Sequence, residues 1–307
     1  MKATALLGGA VIATIVAGPL AAAQATQEAG TKEAVLWSQL HERVQAVERR
    51  LDGVLGVTVR DLEGGRTLEL RADEVFPQAS SIKWAVLYEL YRQAGEGRVD
   101  LGEVRRLPVP RTGGGGVLEL LGDGVSLTWR DLAILMMGHS DNEATNLLID
   151  RVGMEAVNLR LAGLGLRATA LRRRMMDLEA ARRGDENVST PAEMLRLVVA
   201  IRAGTGLPPE AAKDLMAVAS VPKDSEFRRP IPASVPVADK PGALEGVRCV
   251  TAVVELPGRP YAAAIMTTYL KRDADGDAAI EEISKALFET FDRLARSSPL
   301  GRVISER

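Results

Sequence analysis

The stretches of this chain that read as strands lie near its two ends, and what separates them reads as helix and loop. Residues 54 to 61 and 66 to 71 form one pair, split by Glu63-Gly64-Gly65 as a hairpin turn. Val247 to Leu256 and Tyr261 to Tyr269 form the other, joined at Pro257-Gly258-Arg259. Helical stripes flank both pairs: Leu36, Leu40, Val44, Val47 and Leu51 before the first, and Ile280, Ile283, Leu287, Phe291 and Leu294 after the last. An antiparallel sheet therefore draws strands from both ends, with terminal helices against it and a helical lobe inserted, an α+β fold. The α/β lobe is expected over about 32–75 and 235–300 and the helical lobe over about 76–234. A crevice between the lobes is the natural place for a site.

The inserted lobe is punctuated clearly. A helix is expected over about 80–95, ending in Ala94-Gly95-Glu96-Gly97. Residues 98 to 127 are loop-rich and hold Gly113-Gly114-Gly115-Gly116, which lacks the spaced glycines and Lys-Ser/Thr of a phosphate loop and reads as a flexible surface turn. Thr128-Trp129-Arg130-Asp131 is a capping box opening a helix through Met137. Helices at 143–152 and about 154–162 follow, then a polar, arginine-rich loop over about 167–188. Thr190-Pro191-Ala192-Glu193 supplies an N-cap, an N1 proline and a capping acid for a helix to Ala203, and another helix fits 209–220.

Met1-Lys2 and the apolar, Ala- and Gly-rich run to Ala23 read as a secretory signal cut near Ala23 or Ala25, and no later run reaches a spanning length. Residues 26–307 are then one exported domain, secreted or periplasmic and expected to be a monomer. A net charge of −2 argues against a nucleic-acid footprint. Cys249 is the single cysteine, so no internal disulfide forms, and His41 and His139 stand too far apart in sequence to suggest a metal site. No cofactor is expected.

Three short motifs carry possible chemistry. Ser80 and Lys83 are three apart, so on a helix they share a face. A lysine kept neutral by burial or by another cation can take the serine's proton, whereas an exposed Lys83 is the bland alternative. Ser140-Asp141-Asn142 falls in the break between two helices. There Ser140 would pass a proton to a leaving nitrogen and Asn142 would hold a substrate amide, or all three would serve as caps. His139 reads as a packed or bonded neighbour rather than a base. Lys240-Pro241-Gly242-Ala243 lies just ahead of the second strand pair. It offers a cation for a substrate carboxylate, a close backbone approach at Gly242 and an oxyanion donor at the Ala243 N–H, or simply a turn with a solvated lysine.

In that order the motifs resemble the signature of the class A serine β-lactamases and related penicillin-binding proteins, S-x-x-K, then S-D-N, then K-T-G. The resemblance covers nearly all of residues 26–307. It implies a three-layer αβα fold on an antiparallel sheet of about five strands. It also implies an acylated Ser80, Lys83 as its activating amine, Ser140 as proton shuttle, Asn142 as an amide contact and Lys240 as the third motif's cation. The backbone N–H groups of Ser80 and Ala243 would form the oxyanion hole. Two positions depart from the pattern. The loop that carries a water-activating glutamate in class A enzymes reads Arg173-Arg174-Met175-Met176-Asp177-Leu178-Glu179, with Met175 where that glutamate would fall and Asp177 and Glu179 out of register. Pro241 replaces the hydroxyl residue of the third motif, and Arg248 either compensates for it or is a solvated strand residue. β-Lactam hydrolysis through a Ser80 acyl-enzyme is the first expectation. A D-alanyl-D-alanine peptidase or slow penicillin-binding protein, acting on peptidoglycan peptides, is the alternative. A non-catalytic envelope binding module is a third reading, and Lys83 and Ser140 argue against it.

Overall fold

A computed structural model describes residues 32–108, 112–298 and 300–304. The expected signal segment lies outside the described residues. Helix α1 (Lys32–Arg50) leads into β1 (Val54–Asp61), β2 (Thr67–Leu70) and β3 (Phe76–Pro77), then a 3₁₀ turn (Ala79–Ile82) continued by α2 (Lys83–Gly95). The middle of the chain comprises β4 (Val104–Arg106), β5 (Ser126–Thr128), α3 (Trp129–Gly138), α4 (Asn142–Val152), α5 (Met154–Gly163), α6 (Leu178–Arg182), β6 (Val188–Ser189), α7 (Pro191–Arg202) and α8 (Pro209–Ala219). It closes with β7 (Val237–Leu244), β8 (Val247–Val254), β9 (Tyr261–Thr268) and α9 (Asp273–Ala295).

The five-stranded sheet runs β2-β1-β9-β8-β7, with every neighbouring pair antiparallel. The first and last strand pairs meet at β1 and β9, where Val57 pairs with Ile265. Successive strand residues face opposite sides. Leu55, Val57, Val250 and Ile265 thus meet Leu40 and Val44 of α1 and Ile283 and Leu287 of α9. Cys249, Val253, Ala264 and Met266 face the helical lobe instead. Both faces are covered, which is why β8 and β9 read as continuous apolar runs rather than alternating ones. Phe291 of α9 stacks on Tyr261 at 4.3 Å and meets Trp37 edge-on at 5.6 Å. Phe291→Ala would cost about 3–5 kcal/mol.

The sequence pattern hides β7, because Val-Ala-Asp-Lys-Pro-Gly-Ala-Leu neither alternates nor runs apolar. Its strand geometry is tertiary in origin. It is an edge strand, where a proline is tolerated, and its charged Asp239 and Lys240 are both buried against the protein. The element expected to begin as an α-helix at residue 80 begins as a 3₁₀ turn and becomes α-helical at Lys83. From Trp84 to Tyr91, α2 is at most 2% exposed at every residue, so its start is held rigidly. Trp84 Nε1 donates to the Thr251 carbonyl of β8 at 3.1 Å and ties this helix to the sheet.

Candidate active site

Ser80 sits in the 3₁₀ turn, whose backbone is pinned on both sides. The Gln78 N–H donates to the Asn187 carbonyl at 2.8 Å, and the Ser81 N–H donates to the Gln78 carbonyl at 2.8 Å. Ala79 adopts φ of +44°, a left-handed conformation that costs a non-glycine residue about 1 kcal/mol or more and sets the direction of the next residue. In a 3₁₀ turn, residues three apart eclipse one another, so Ser80 and Lys83 leave on the same side. The adjacent Ser81 points elsewhere: it is buried and donates from Oγ to Thr251 Oγ1 at 3.1 Å.

Lys83 is fully buried, not solvated. Its Nζ donates to the Ser140 carbonyl at 2.7 Å, to Ser140 Oγ at 3.0 Å and to Asn142 Oδ1 at 3.3 Å. Ser140 Oγ lies 2.8 Å from Ser80 Oγ, to which it donates. A continuous hydrogen-bonded path therefore joins the Ser80 hydroxyl to the Lys83 nitrogen through Ser140. Ser140 has φ of +54°, a second left-handed non-glycine residue, and presents both its carbonyl and its hydroxyl to Lys83. The capping expectation for Ser140-Asp141-Asn142 holds for the central residue alone. Asp141 accepts from the Ala144 N–H at 2.9 Å and the Leu118 N–H at 2.8 Å, while its neighbours on either side turn toward Lys83.

Burial, then the field of Lys240, then only partial compensation by Asp141, hold the Lys83 amine well below its ordinary pKa. Lys240 is pushed down to about 7, first by burial and then by the nearby Lys223, with Asp239 opposing. Two amines with lowered pKa values thus serve one cleft, and Lys83 is the one whose charge Lys240 suppresses.

The third motif reaches Ser80 along the edge strand. A Cβ on Gly242 would lie 2.7 Å from the Gln78 carbonyl oxygen, 2.7 Å from Cys249 Sγ and 2.9 Å from the Ser80 nitrogen, so only glycine lets β7 come this near the turn. Ala243 follows on the exposed stretch of the same strand, and both residues line a cleft of about 570 Å³ shared with Ser80, Ser140, Asn142 and Lys240. Among the described residues no cluster of ligating side chains has the makings of a metal site.

The far wall comes from the loop before β6. Asn146 clamps Met175 at both backbone ends, accepting from its N–H at 2.9 Å and donating to its carbonyl at 3.1 Å. Asn187 accepts from the Arg172 and Arg173 N–H groups at 2.7 and 3.0 Å, and Arg173 pairs with Glu186 at 2.9 Å. Met175 and Met176 line the cleft, but Asp177 and Glu179 do not. Asp177 is spent as the N-cap of α6, accepting from the Ala180 N–H at 2.9 Å, and Glu179 is exposed. Asn146 was not singled out in the sequence. Its spacing of four residues from Asn142, on the same face of a helix beside the second motif, is the signal that would have found it.

Three smaller expectations need correction. The four-glycine stretch is part of the cleft rather than a free surface turn: Gly114, Gly115 and Gly116 line it, and Asn142 Nδ2 donates to the Gly114 carbonyl at 2.8 Å. Asn142 is thus bonded at both ends of its amide, to this loop and to Lys83. His139 lines the cleft as an exposed residue, not a packed one. Arg248 is not solvated: its guanidinium is held by Asp277 at 2.7 Å and Asp273 at 3.2 Å.

The profile of the β-lactamase enzyme family matches residues 39–291. The chain belongs to that family. It is a serine hydrolase of the class A β-lactamase type, as its relatives and structural neighbours agree. It is 31% identical to a β-lactamase of Streptomyces fradiae, over 92% of this chain and 96% of the relative. The structure of a β-lactamase from Sphaerobacter thermophilus superposes with a TM-score of 0.75 at 31% identity, covering 83% of this chain and 98% of that one. The structure of a PBP-A mutant, described as an acyl-enzyme complex with penicillin G, superposes equally well, with a TM-score of 0.75 at 26% identity and coverage of 83% and 97%.

Proposed function

We propose that this hydrolase opens β-lactam rings by acylation of Ser80 and releases the product slowly. Neutral Lys83 takes the Ser80 proton by way of Ser140, and Ser80 Oγ forms the ester bond to the lactam carbonyl carbon. The carbon–nitrogen bond then breaks, and the proton returns through Ser140 to the leaving nitrogen. The Ser80 and Ala243 N–H groups stabilise the oxyanion, Lys240 supplies positive potential, and Asn142 offers its amide to the acyl side chain once Gly114 yields it.

The observation that carries the reading is the Lys83–Ser140–Ser80 chain, closed by a fully buried amine. A binding module has no use for it. Slow release is supported by Met175, a thioether on the wall where a carboxylate would activate water. The likeness to PBP-A, one of whose mutants was seen as a penicillin G acyl-enzyme, supports the second reading, a D-alanyl-D-alanine peptidase that β-lactams trap. The signal-like first 25 residues support export to the periplasm or beyond, and we read the protein as a monomer. No helix among the described residues is long and apolar enough to cross a membrane.

Mass spectrometry over time with penicillin G, beside hydrolysis of a chromogenic cephalosporin, is the test. One ligand mass should appear quickly, persist, and vanish in Ser80→Ala, with a burst followed by a shallow slope. Labelling of Ser81 or Ser140 would overturn the nucleophile. Fast turnover abolished by Asp177→Asn or Glu179→Gln would overturn slow release.

A further inference from the structure

The cleft continues past Lys240 along a wall made by Pro241, Leu244, Arg248, Asp277 and Glu226. A penicillin places its carboxylate on the leaving-nitrogen side, and in the reading proposed above that side faces Lys240 and this wall. The groups that would receive a carboxylate here are already committed or missing. Among the described lining residues the only hydroxyls are those of Ser80 and Ser140, and Pro241 brings neither a hydroxyl nor an N–H.

Arg248 is bound in place. Its Nε donates to Asp277 at 2.7 Å, its Nη2 faces Asp273 at 3.2 Å, and its Nη1 donates to the Leu244 and Val247 carbonyls, both at 2.9 Å. Asp273 and Asp277 are four apart on α9, hence one above the other on a single helix face. Between them Gly276 leaves the room that Arg248 occupies: a Cβ there would lie 2.9 Å from Arg248 Cγ. The guanidinium is therefore flattened along α9 with its charge answered by two carboxylates. Glu226, paired with Arg229 at 3.3 Å, adds a further carboxylate to the wall. Lys240 remains, buried and donating to the Pro241 carbonyl at 2.8 Å, and burial lowers its affinity for a proton.

We propose that this cleft makes no use of a free carboxylate on the leaving-group side and acylates Ser80 about as readily from the corresponding ester or amide, because Asp273 and Asp277 withhold Arg248 and Pro241 supplies no hydroxyl. The inference rests on acylation at Ser80. The guanidinium on this wall is engaged, and the other lining residues named here are the acids Asp277 and Glu226 and the apolar Pro241, Leu244 and Ile280, none of which receives a carboxylate.

The test compares the rate of Ser80 acylation by penicillin G with that by its methyl ester, followed by intact-protein mass spectrometry at one pH, with Ser80→Ala as the control. Masking the carboxylate should change the rate by less than tenfold. A charged hydrogen bond is worth about ten- to a hundredfold, so a methyl ester more than tenfold slower would overturn the proposal. Asp277→Ala should free Arg248 Nε, while Asp273 and two carbonyls still hold the rest of the guanidinium, and raise the acid-to-ester ratio about tenfold or more, and Pro241→Thr should move it the same way by restoring a hydroxyl. Arg248→Ala should leave the wild-type ratio unchanged, and a tenfold fall in that variant would overturn the proposal even if Asp277→Ala failed to fold. Absence of any adduct with either compound would overturn the acylation reading itself, an outcome distinct from a strong preference for the acid.

Discussion

Replacing Met175 by glutamate should convert a slow release into turnover. Met175 is 8% exposed, lines the cleft, and is fixed at both backbone ends by Asn146, so a side chain at 175 is aimed by the fold and not by chance. A positioned general base contributes typically ~10²–10⁴-fold to a proton-transfer step. The steady-state rate with a chromogenic cephalosporin should rise by that factor, while the burst that reports acylation keeps its amplitude. The substitution places a carboxyl in a partly apolar wall, which raises its pKa and removes packing, so the variant should melt a few degrees lower. A destabilisation of 1 kcal/mol is worth about 2–4 °C at this size. Met175→Gln, which has the same shape without the base, should show no gain. Asn146→Ala placed in the Met175→Glu background should lose most of it, because two backbone hydrogen bonds that aim the loop are gone. A folded Met175→Glu with an unchanged burst and an unchanged steady slope would refute the reasoning, since it would mean that position 175 does not face the ester.

Lys83→Arg keeps the charge but cannot yield a proton, so acylation measured by adduct formation should fall by orders of magnitude; near-normal labelling would mean that another group is the base. Lys240 has a folded pKa of about 7 against an ordinary 10.5, so between those values the unfolded chain binds more protons and stability rises with pH. Lys240→Met should flatten that rise in urea midpoints taken from pH 7 to 9, and an equally steep rise in the variant would assign it to other groups. Gly242→Val should separate β7 from the Ser80 turn, costing about 1–3 kcal/mol of overpacking and abolishing acylation in protein that still melts cooperatively; retained labelling would show that the close approach is dispensable.

Much of the arrangement was legible in residue order alone, because local physics wrote it there. The terminal stripes of α1 and α9, the hairpins at both ends, the capping box ahead of α3 and the Thr190-Pro191 cap ahead of α7 are all short-range patterns, though the expected capping acid Glu193 turns instead to the Ala168 and Thr169 N–H groups. The Ser80–Lys83 spacing was equally local: three residues suffice to put both on one side of a 3₁₀ turn. What the sequence could not carry was whether Lys83 and Lys240 lie in water or inside, since a lysine reads the same in both places. The tertiary structure decided that by closing α2, α4 and β7 around them, and with burial came the lowered proton affinity that lets an amine stand neutral nearer pH 7. It likewise made a strand of β7 by backbone pairing to β8, drew the four-glycine stretch into the cleft through Asn142, and took Arg248 out of circulation with two acids from a helix that begins 25 residues later. These are contacts between segments far apart in the chain, whose energies depend on which groups meet and on the water that is excluded, and neither quantity exists until the chain has folded.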